Sequence, residues 1–296
     1  MFEKALVMYI YAETPIHAGS GTTLGAVDLP IQRERHTEFP MIQGSSLKGV
    51  LRNSAENFNI DNNIRDSIFG KEDHIGGISI TDARILAFPV RTLRGVFGWV
   101  TCPLVLDRYK RDLKLAGIEV DWEIPEPSSD EETKVCKNSN IRENYVYIED
   151  LQLKYSDDEN VKKIAENIAK TLSENDVYKE IKDKLKKDLV IVSDNIFRDL
   201  VLLTTEVVTR IKIDPEKGTV QPGALWSEEY LPTDTIMYSL ILIPGRLNNL
   251  KPEDIVKQLL NNYNEQILQI GGDETVGKGF ARIKLVEGGG KNAEES

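Results

Sequence analysis

The side chains best suited to chemistry lie in one unusual stretch of the sequence, residues 15–44. It holds His17, a proton carrier, Asp28, a hard anion, and the cations Arg33 and Arg35. The stretch is rich in Gly, Thr and Pro and has no apolar period, and loops of this length inside a compact domain are usually functional or disordered. The mixture of acid, base and cations favours a functional loop that folds over a ligand.

Asp28 stands between small and apolar residues shortly before Pro30, where helix capping explains its carboxylate poorly. It could ligate a hard metal ion, or it could orient or deprotonate a ribose 2′-hydroxyl for attack on the adjacent phosphate. The structural alternatives are an Asx turn for Asp28 and a hydrogen bond to the loop backbone for His17.

A glycine-rich stretch near the end of the chain matches the phosphate-loop pattern GxxxxGK at Gly272, Gly277 and Lys278. Gly279 then replaces the Ser or Thr that would hold magnesium, and the following residues alternate as a strand instead of opening a helix. These departures argue against nucleotide hydrolysis. The loop from Gly271 to Gly279 could still approach a phosphodiester backbone through its amides, or it could be a tight turn between two strands.

Cations occur at helical spacing after the long loop. Lys48 and Arg52 are four residues apart, so both lie on one face of a predicted helix whose N-cap is Ser45 or Ser46. The free amides and positive dipole at the start of that helix would add to their attraction for a phosphate. Two solvated cations are the alternative, since charges at this spacing commonly face water.

A third polar group, Glu228, Glu229 and Tyr230, follows Trp226 on a predicted hairpin. It could belong to a site, or it could form a polar rim around a packed Trp. Elsewhere the sequence has no Ser/His/Asp or Cys/His arrangement at an informative spacing, and its two cysteines have no partner at zinc-ligand spacing.

Composition indicates a soluble, acidic protein. The 296 residues are 40% hydrophobic, enough for a sizeable core, and no apolar run approaches the ~20 residues of a membrane span, so we expect a cytoplasmic protein with no membrane partner. A net charge of −11 argues against nucleic-acid binding unless the cations are grouped. The cations are grouped in the first part of the chain. Residues 1–118 carry 14 Lys and Arg and 13 Asp and Glu, whereas the remaining residues carry 23 Lys and Arg and 35 Asp and Glu.

The pattern of apolar residues predicts the strands and loops that position these polar side chains. Residues 2–14 form an apolar run with little polar alternation, which predicts a central strand buried on both faces. The segment after Ile118, with two prolines and an acidic cluster, predicts a surface loop that tolerates truncation. Residues 205–231 alternate as a projecting hairpin that turns at 215–218.

Without the insertions, the order is strand, helix, hairpin strands, helix, strand. This is the βαββαβ order of an α+β, ferredoxin-like (RRM-like) domain. Its helices would cover one face of the sheet and leave the other free to bind.

Four stretches in combination resemble the RAMP superfamily: TPIHAGSGTTLGAVDLPIQRERH, PMIQGSSLKGVLR, GALWSEEYLPTDT and LQIGGDETVGKGF. Within it, the chain closely resembles the repeated backbone subunit of the Cmr (type III-B) CRISPR effector complex. The resemblance extends over nearly the whole chain and is weakest in the acidic segment after Ile118.

The resemblance implies a single RAMP domain over residues 1–290, with a ferredoxin-like palm and a projecting thumb hairpin. Its predicted parts are the palm (1–58, 78–118 and 234–287), an acidic and helical insertion (about 119–190), the thumb (about 205–231) and a disordered tail (288–296).

The resemblance also implies a function. Copies of the chain would stack into a helical filament along a CRISPR guide RNA, with other Cmr subunits, and each copy would cut the paired target RNA once, at regular intervals. By position, Asp28 matches the catalytic aspartate. The implied reaction is attack of a ribose 2′-hydroxyl that leaves a cyclic phosphate and depends on a divalent metal, Mg²⁺ or Mn²⁺, at Asp28.

The other matched positions are given supporting roles by the same resemblance. Those near the catalytic aspartate are His17, Glu228, Glu229 and Tyr230. Those expected to bind RNA are Ser45, Ser46, Lys48 and Arg52 on the helix, Arg33 and Arg35 in the long loop, and Gly271, Gly272, Gly277, Lys278 and Gly279 in the glycine-rich loop. Two alternatives stay open: a non-catalytic, guide-binding structural subunit, and a guide-processing ribonuclease that uses histidine chemistry without metal.

Overall fold

The computed structural model describes residues 2–22, 25–214, 216–245 and 250–289, without the side chains of residues 222 and 223. Its strands are β1 (Phe2–Ala12), β2 (Met41–Ile42), β3 (Ser79–Ile80), β4 (Ala83–Arg91), β5 (Phe97–Thr101), β6 (Glu132–Val135), β7 (Val146–Ile148), β8 (Leu151–Asp157), β9 (Leu189–Ile191), β10 (Glu206–Ile213), β11 (Val220–Tyr230), β12 (Ile236–Pro244), β13 (Ile267–Gln269) and β14 (Phe280–Glu287). Its α-helices are α1 (Gly44–Ser54), α2 (Asn62–Phe69), α3 (Pro103–Leu115), α4 (Glu159–Ala169), α5 (Lys179–Asp188), α6 (Asp194–Leu203) and α7 (Pro252–Tyr263).

Most of these strands form one mixed sheet. Its order is β13-β14-β1-β12-β4-β5-β9-β6-β8-β7, with β2 and β3 paired at the side to β4 and β12. Neighbours are antiparallel except for β5 with β9 and β6 with β8, which are parallel. The fold is therefore α+β with a large mixed sheet. None of the helices in the described part of the chain is long and apolar enough to cross a membrane.

Strand β1 is central, as its apolar sequence predicts. It pairs with β12 on one side and β14 on the other, and every residue from Ala5 to Ala12 is buried. Because successive side chains of a strand point to opposite faces, this burial means that both faces of the sheet are covered here. The expectation of a free binding face is therefore wrong for this part of the sheet.

Helix α1 begins at Gly44, and the predicted cap is wrong. Gln43 occupies the N-cap position and makes no side-chain cap, while Ser45 and Ser46 lie in the first turn. Instead, the Gly44 N–H donates to Asp82 Oδ1 at 2.8 Å. A carboxylate from the β3–β4 turn thus satisfies the end of the helix, which sequence spacing alone does not reveal.

The segment after Ile118 is better packed than its composition predicts. Strand β6 pairs with both β8 and β9, and Trp122 is buried with its ring centroid stacked 6.4 Å from that of Tyr109. The expectation of a surface loop is wrong for Trp122 and β6, because one buried Trp and one paired strand are enough to fix a largely polar segment. Tolerance to truncation stays a prediction.

The hairpin formed by β10 and β11 is confirmed, in the register that places Glu206 opposite Tyr230. Near its predicted turn, the Gly218 N–H donates to the Asp214 carbonyl at 2.8 Å, while Pro215 lies outside the described residues. At the end of the chain, the Gly288 N–H donates to the Ala5 carbonyl at 3.0 Å. Residues 290–296 of the predicted tail lie outside the described part.

Candidate active site and nucleic-acid interface

Strand β11 lies between the two loops that carry the predicted site. Leu29 of the long loop forms a parallel bridge with Glu228 of this strand. Because strand side chains alternate between faces, Ser227 and Glu229 project to one side, and Glu228 and Tyr230 project to the other. The first pair holds the long loop, and the second meets the glycine-rich loop.

Asp28 is exposed, and Ser227 holds its carboxylate. The Ser227 hydroxyl and backbone N–H each donate to Asp28 Oδ2 at 2.8 Å, and the Asp28 N–H donates to the Ser227 hydroxyl at 3.0 Å. The hydrogen bonds from the backbone and then the side chain of Ser227 lower the pKa of Asp28. Asp28 is thus ionised at neutral pH and a weak base, which suits ligation or orientation of a hydroxyl better than proton abstraction.

Glu229 is a buried anchor for the long loop. Its Oε2 accepts a hydrogen bond from the Ile31 N–H at 3.0 Å, and its Oε1 accepts one from the Thr205 hydroxyl at 2.7 Å. The same Oε1 pairs with the Arg33 guanidinium at 2.5 Å, and Arg33 also donates to the Val201 carbonyl at 3.0 Å. Arg33 is therefore engaged inside the chain.

Glu228 is the centre of a charged cluster on the other side of β11. Its carboxylate accepts hydrogen bonds from Arg210 at 2.6 Å, Tyr230 at 2.5 Å and Trp226 at 2.7 Å. Burial raises the pKa of Glu228, but these three donors outweigh that effect and lower the pKa to about 2. Glu228 is therefore an ionised acceptor at neutral pH and cannot act as a proton donor there.

The cluster reaches the glycine-rich loop through Asp273. Arg210 Nη1 lies 2.8 Å from Asp273 Oδ1, and the Tyr230 hydroxyl lies 2.9 Å from Asp273 Oδ2. Burial, together with the hydrogen bonds to Glu228 and Asp273, raises the pKa of Tyr230, so its hydroxyl stays protonated. The Lys278 ammonium lies 4.9 Å from the centroid of the Tyr230 ring. These contacts join the hairpin to the glycine-rich loop.

His17 lies between β11 and the glycine-rich loop. Its Nδ1 is 2.7 Å from the backbone oxygen of Glu229, and its ring centroid is 5.5 Å from that of Tyr230. With a proton on Nδ1 it donates to that carbonyl, which leaves Nε2 as the proton-accepting nitrogen. The partner is therefore the backbone of strand β11 and not the loop backbone expected in the structural alternative, and this bond fixes the ring beside the charged cluster.

The glycine-rich loop is a turn between β13 and β14. Strand β14 begins at Phe280, which confirms that no phosphate-loop helix follows. At Gly271, with a φ of +86°, an added Cβ would lie 2.1 Å from the His17 carbonyl oxygen, so only glycine allows this packing. Gly277 has a φ of +80°, and an added Cβ there would have no described atom within 4 Å, but its N–H donates to the Glu274 carbonyl at 2.9 Å.

Lys48 and Arg52 line one cleft, as their helical spacing predicts. The cleft has a volume of about 870 Å³ and lies between α1, α2 and the segment that follows α2. Lys48 donates to a backbone carbonyl at 3.1 Å, and burial and then the charge of Arg52 lower its pKa. Arg52 pairs with Asp66 at 3.0 Å. Both cations are partly engaged, and the lining of this cleft does not include Asp28 or β11.

Of the other residues predicted to bind RNA, Ser45, Ser46 and Arg35 are exposed, whereas Lys278 is half-buried and Gly279 is buried. Ser45 and Ser46 face solvent in the first turn of α1, and the guanidinium of Arg35 makes no hydrogen bond or ion pair with another described residue. They are therefore accessible to a ligand, in contrast to Arg33.

Among the described residues of the candidate site, Asp28 is the group that could bind a divalent metal ion. In the described ranges, no three His, Cys, Asp or Glu side chains converge to hold an ion. Asp28 offers a single carboxylate, whose Oδ2 already accepts two hydrogen bonds. Mg²⁺ is commonly held by one or two carboxylates together with phosphate oxygens and water. The donor set therefore fits an ion whose remaining ligands come from bound RNA and water.

Sequence reasoning missed three residues that the structure adds to the site: Ser227, Arg210 and Asp273. Arg210 lies opposite Trp226 in the hairpin register, so aligning the two strands from their turn would have placed it near Glu228. Asp273 stands at a variable position of the glycine-rich pattern. No signal in the sequence indicates that Ser227 meets Asp28.

The large sheet, the hairpin of β10 and β11, the glycine-rich loop and the exposed aspartate held by β11 define one class of protein. A family model described as the RAMP superfamily matches residues 9–282, and the chain belongs to that superfamily.

Two related proteins support the resemblance to the repeated backbone subunit of the Cmr complex. The chain is 45% identical over 291 residues to the "CRISPR system Cmr endoribonuclease Cmr4" of Pyrococcus furiosus, with 96% of each chain covered. It is 27% identical over 309 residues to the "CRISPR system CMR subunit Cmr4" of Saccharolobus solfataricus, with 93% and 94% covered. The predicted resemblance is confirmed.

Solved structures agree with these matches. The crystal structure of oligomeric Cmr4 from Pyrococcus furiosus superposes with a TM-score of 0.77 and 39% identity, covering 96% of this chain and 99% of that one. A subunit of the type III-B Cmr-beta complex bound to cognate target RNA has a TM-score of 0.75 at 22% identity, with 96% and 98% covered, and shares the fold.

Proposed function

We propose that this chain is the repeated backbone subunit of a CRISPR RNA-guided effector complex and an endoribonuclease that cuts target RNA paired with a guide. The observation that carries the proposal is Asp28, an exposed carboxylate kept ionised by Ser227, in a chain 45% identical to a protein named an endoribonuclease. Copies of the chain would stack along the guide RNA in the cytoplasm, beside other Cmr subunits. Each copy would contribute one cut, at regular intervals.

The ferredoxin-like palm belongs to the same proposal. Strands β14, β1, β12 and β4 are neighbours in that order and antiparallel throughout. In the chain, α1 lies between β1 and β4, and α7 lies between β12 and β14. This arrangement supports a βαββαβ palm with strand order 4-1-3-2, in which β10 and β11 form the thumb and residues 119–190 an insertion.

In the proposed reaction, a 2′-hydroxyl oxygen of the target attacks the adjacent phosphorus, the 5′-oxygen leaves and a cyclic phosphate forms. Asp28 orients the attacking hydroxyl, since its lowered pKa makes it a weak base. His17, fixed by its bond to Glu229, accepts the proton of the attacking hydroxyl at Nε2 and returns it to the leaving 5′-oxygen. A divalent ion bound at Asp28, Mg²⁺ or Mn²⁺, supplies neutralisation of the charge that develops on the phosphate.

The supporting residues hold the two loops of the site in place. Glu229 anchors the long loop, and Glu228 with Tyr230 joins the hairpin to the glycine-rich loop. The amides of Gly272, Gly277, Lys278 and Gly279 donate to carbonyls within the chain, so the Lys278 ammonium is the group of this loop that would contact phosphates. The choice of target sequence is left to base pairing. A net charge of −11 permits this, because RNA needs cations only where it lies.

Replacing both Lys48 and Arg52 by Ala is expected to weaken guide binding and to lower its salt dependence. Each lost phosphate contact removes about 0.7 from the slope of log affinity against log salt concentration, so the pair should remove about 1.4. The measurement is guide affinity at several salt concentrations. A matched control is Lys182 and Lys186, which have the same spacing on α5. An unchanged slope in the Lys48 and Arg52 variant would remove α1 from the guide-binding surface.

Two alternative functions make different predictions. The reciprocal hydrogen bonds between Asp28 and Ser227 also suit a structural subunit in which Asp28 only anchors the loop. A guide-processing ribonuclease of the same superfamily would use His17 and need no metal.

Removal of divalent ions should separate the metal-dependent reaction from the histidine-only one. We expect excess chelator to stop target cleavage by the assembled complex, because a single carboxylate with RNA-supplied ligands binds an ion weakly, and added Mg²⁺ or Mn²⁺ to restore it. The measurement is the cleavage rate of a labelled target, with target affinity as the control. Full cleavage in chelator would favour the guide-processing alternative.

A further inference from the structure

Ser227 directs all of its polar groups at the segment that carries Asp28. Its backbone N–H and hydroxyl donate to the Asp28 carboxylate, and the hydroxyl oxygen accepts the Asp28 N–H. Its carbonyl accepts the Leu29 N–H at 3.0 Å. Residues 25, 26 and 28 are themselves exposed, so packing contributes little to the position of this part of the loop.

These hydrogen bonds decide which carboxylate oxygen is available. The terminal torsion of an aspartate side chain is broad and roughly two-fold, so an exposed carboxylate rotates unless it is held. Both donors of Ser227 bind Oδ2, and no described residue other than Asp28 itself donates a hydrogen bond to Oδ1. Hydrogen bonds to an ionised oxygen are stronger than neutral ones, which makes this an effective hold.

We propose that Ser227 is a positioning residue that fixes the carboxylate of Asp28 with Oδ1 free for the RNA, an inference that rests on the catalytic role of Asp28 proposed above. Ser227 lies opposite Thr209 in the hairpin, so the orientation of the carboxylate follows the position of β11. A displacement of about 1 Å in a reacting group can slow a reaction about 100-fold.

The test compares Ser227→Thr with Ser227→Val, which have nearly the same shape and differ in the hydroxyl. In assembled complexes with guide RNA, the Val variant should cut a labelled target about tenfold to 100-fold more slowly in single-turnover experiments. The Thr variant should stay within about threefold of the unmodified complex, with target affinity unchanged in both. Amide hydrogen exchange of residues 25–29 should be faster in the Val variant and unchanged in the Thr variant, because only Val lacks the acceptor for the Asp28 N–H.

Each contrary result overturns the inference in a recognisable way. Equal rates in the Thr and Val variants would show that the hydroxyl is not used. Weaker target binding in step with slower cleavage would assign Ser227 a direct contact with RNA. If Asp28→Ala still cuts, the proposed function fails. Amide exchange then still decides whether Ser227 holds the loop, since unchanged exchange in the Val variant would refute the contact itself.

Discussion

Replacing Asp28 by Ala is expected to abolish target cleavage, with a loss on the order of 10³-fold in rate, in a complex that still assembles and binds its target. The carboxylate is exposed, and Ser227 is the only other described residue with which it forms hydrogen bonds. Its removal therefore takes away an ionised group at the reaction site and leaves the core intact. The measurement is single-turnover cleavage of a labelled target, together with target affinity.

The control for that result is Asp150→Ala, which removes an aspartate that is 99% exposed in the insertion. We expect Asp150→Ala to cut at the unmodified rate. An Asp28→Ala complex that cut equally well would leave the chain as a structural RNA-binding subunit, with cleavage assigned to another component.

Replacing Glu229 by Ala is expected to lower the free energy of unfolding by about 3–5 kcal/mol, because it leaves a buried charge without its partner. The Arg33 side chain, 15% exposed, would lose the carboxylate 2.5 Å away. The Ile31 N–H would also lose its acceptor at 3.0 Å. The measurement is urea unfolding of the purified chain, compared at matched protein concentration.

Two further variants make that test specific. Glu216→Ala removes an exposed acid near the hairpin turn and should change the free energy of unfolding by no more than about 0.5 kcal/mol. Replacing both Arg33 and Glu229 by Ala should cost less than the sum of the single changes, since the uncompensated charge is then absent. Strict additivity would contradict the buried ion pair.

Several site residues could be predicted from the sequence because their surroundings are local. The long loop shows itself by its Gly, Thr and Pro content, and Asp28 by neighbours that offer no capping role. The glycine-rich turn could be distinguished from a phosphate loop because Gly279 and the alternating residues after it forbid the helix. These features depend on residues within about ten positions of one another.

The predicted cations show where local reasoning fails. Arg33 and Arg35 are two residues apart in the same loop, yet Arg33 is engaged with Glu229 while Arg35 is exposed. The sequence shows that both side chains are positively charged. It does not show whether an acidic residue far away in the chain forms an ion pair with one of them. For the same reason, the sequence did not reveal the hydrogen bond between Asp82 and the start of α1 or the burial of Trp122 in the insertion.

The sequence by itself determined strand β1, helix α1, the hairpin of β10 and β11 and the family resemblance, because propensity, apolar period and motif spacing act over short separations. Only the tertiary structure decided which groups form the site. It joined Asp28 to Ser227, 199 positions later, and Arg210 of β10 to Asp273 of the glycine-rich loop. Such pairings depend on how the hairpin packs beside the long loop, and hydrogen bonds between residues so far apart leave no periodic trace in the chain.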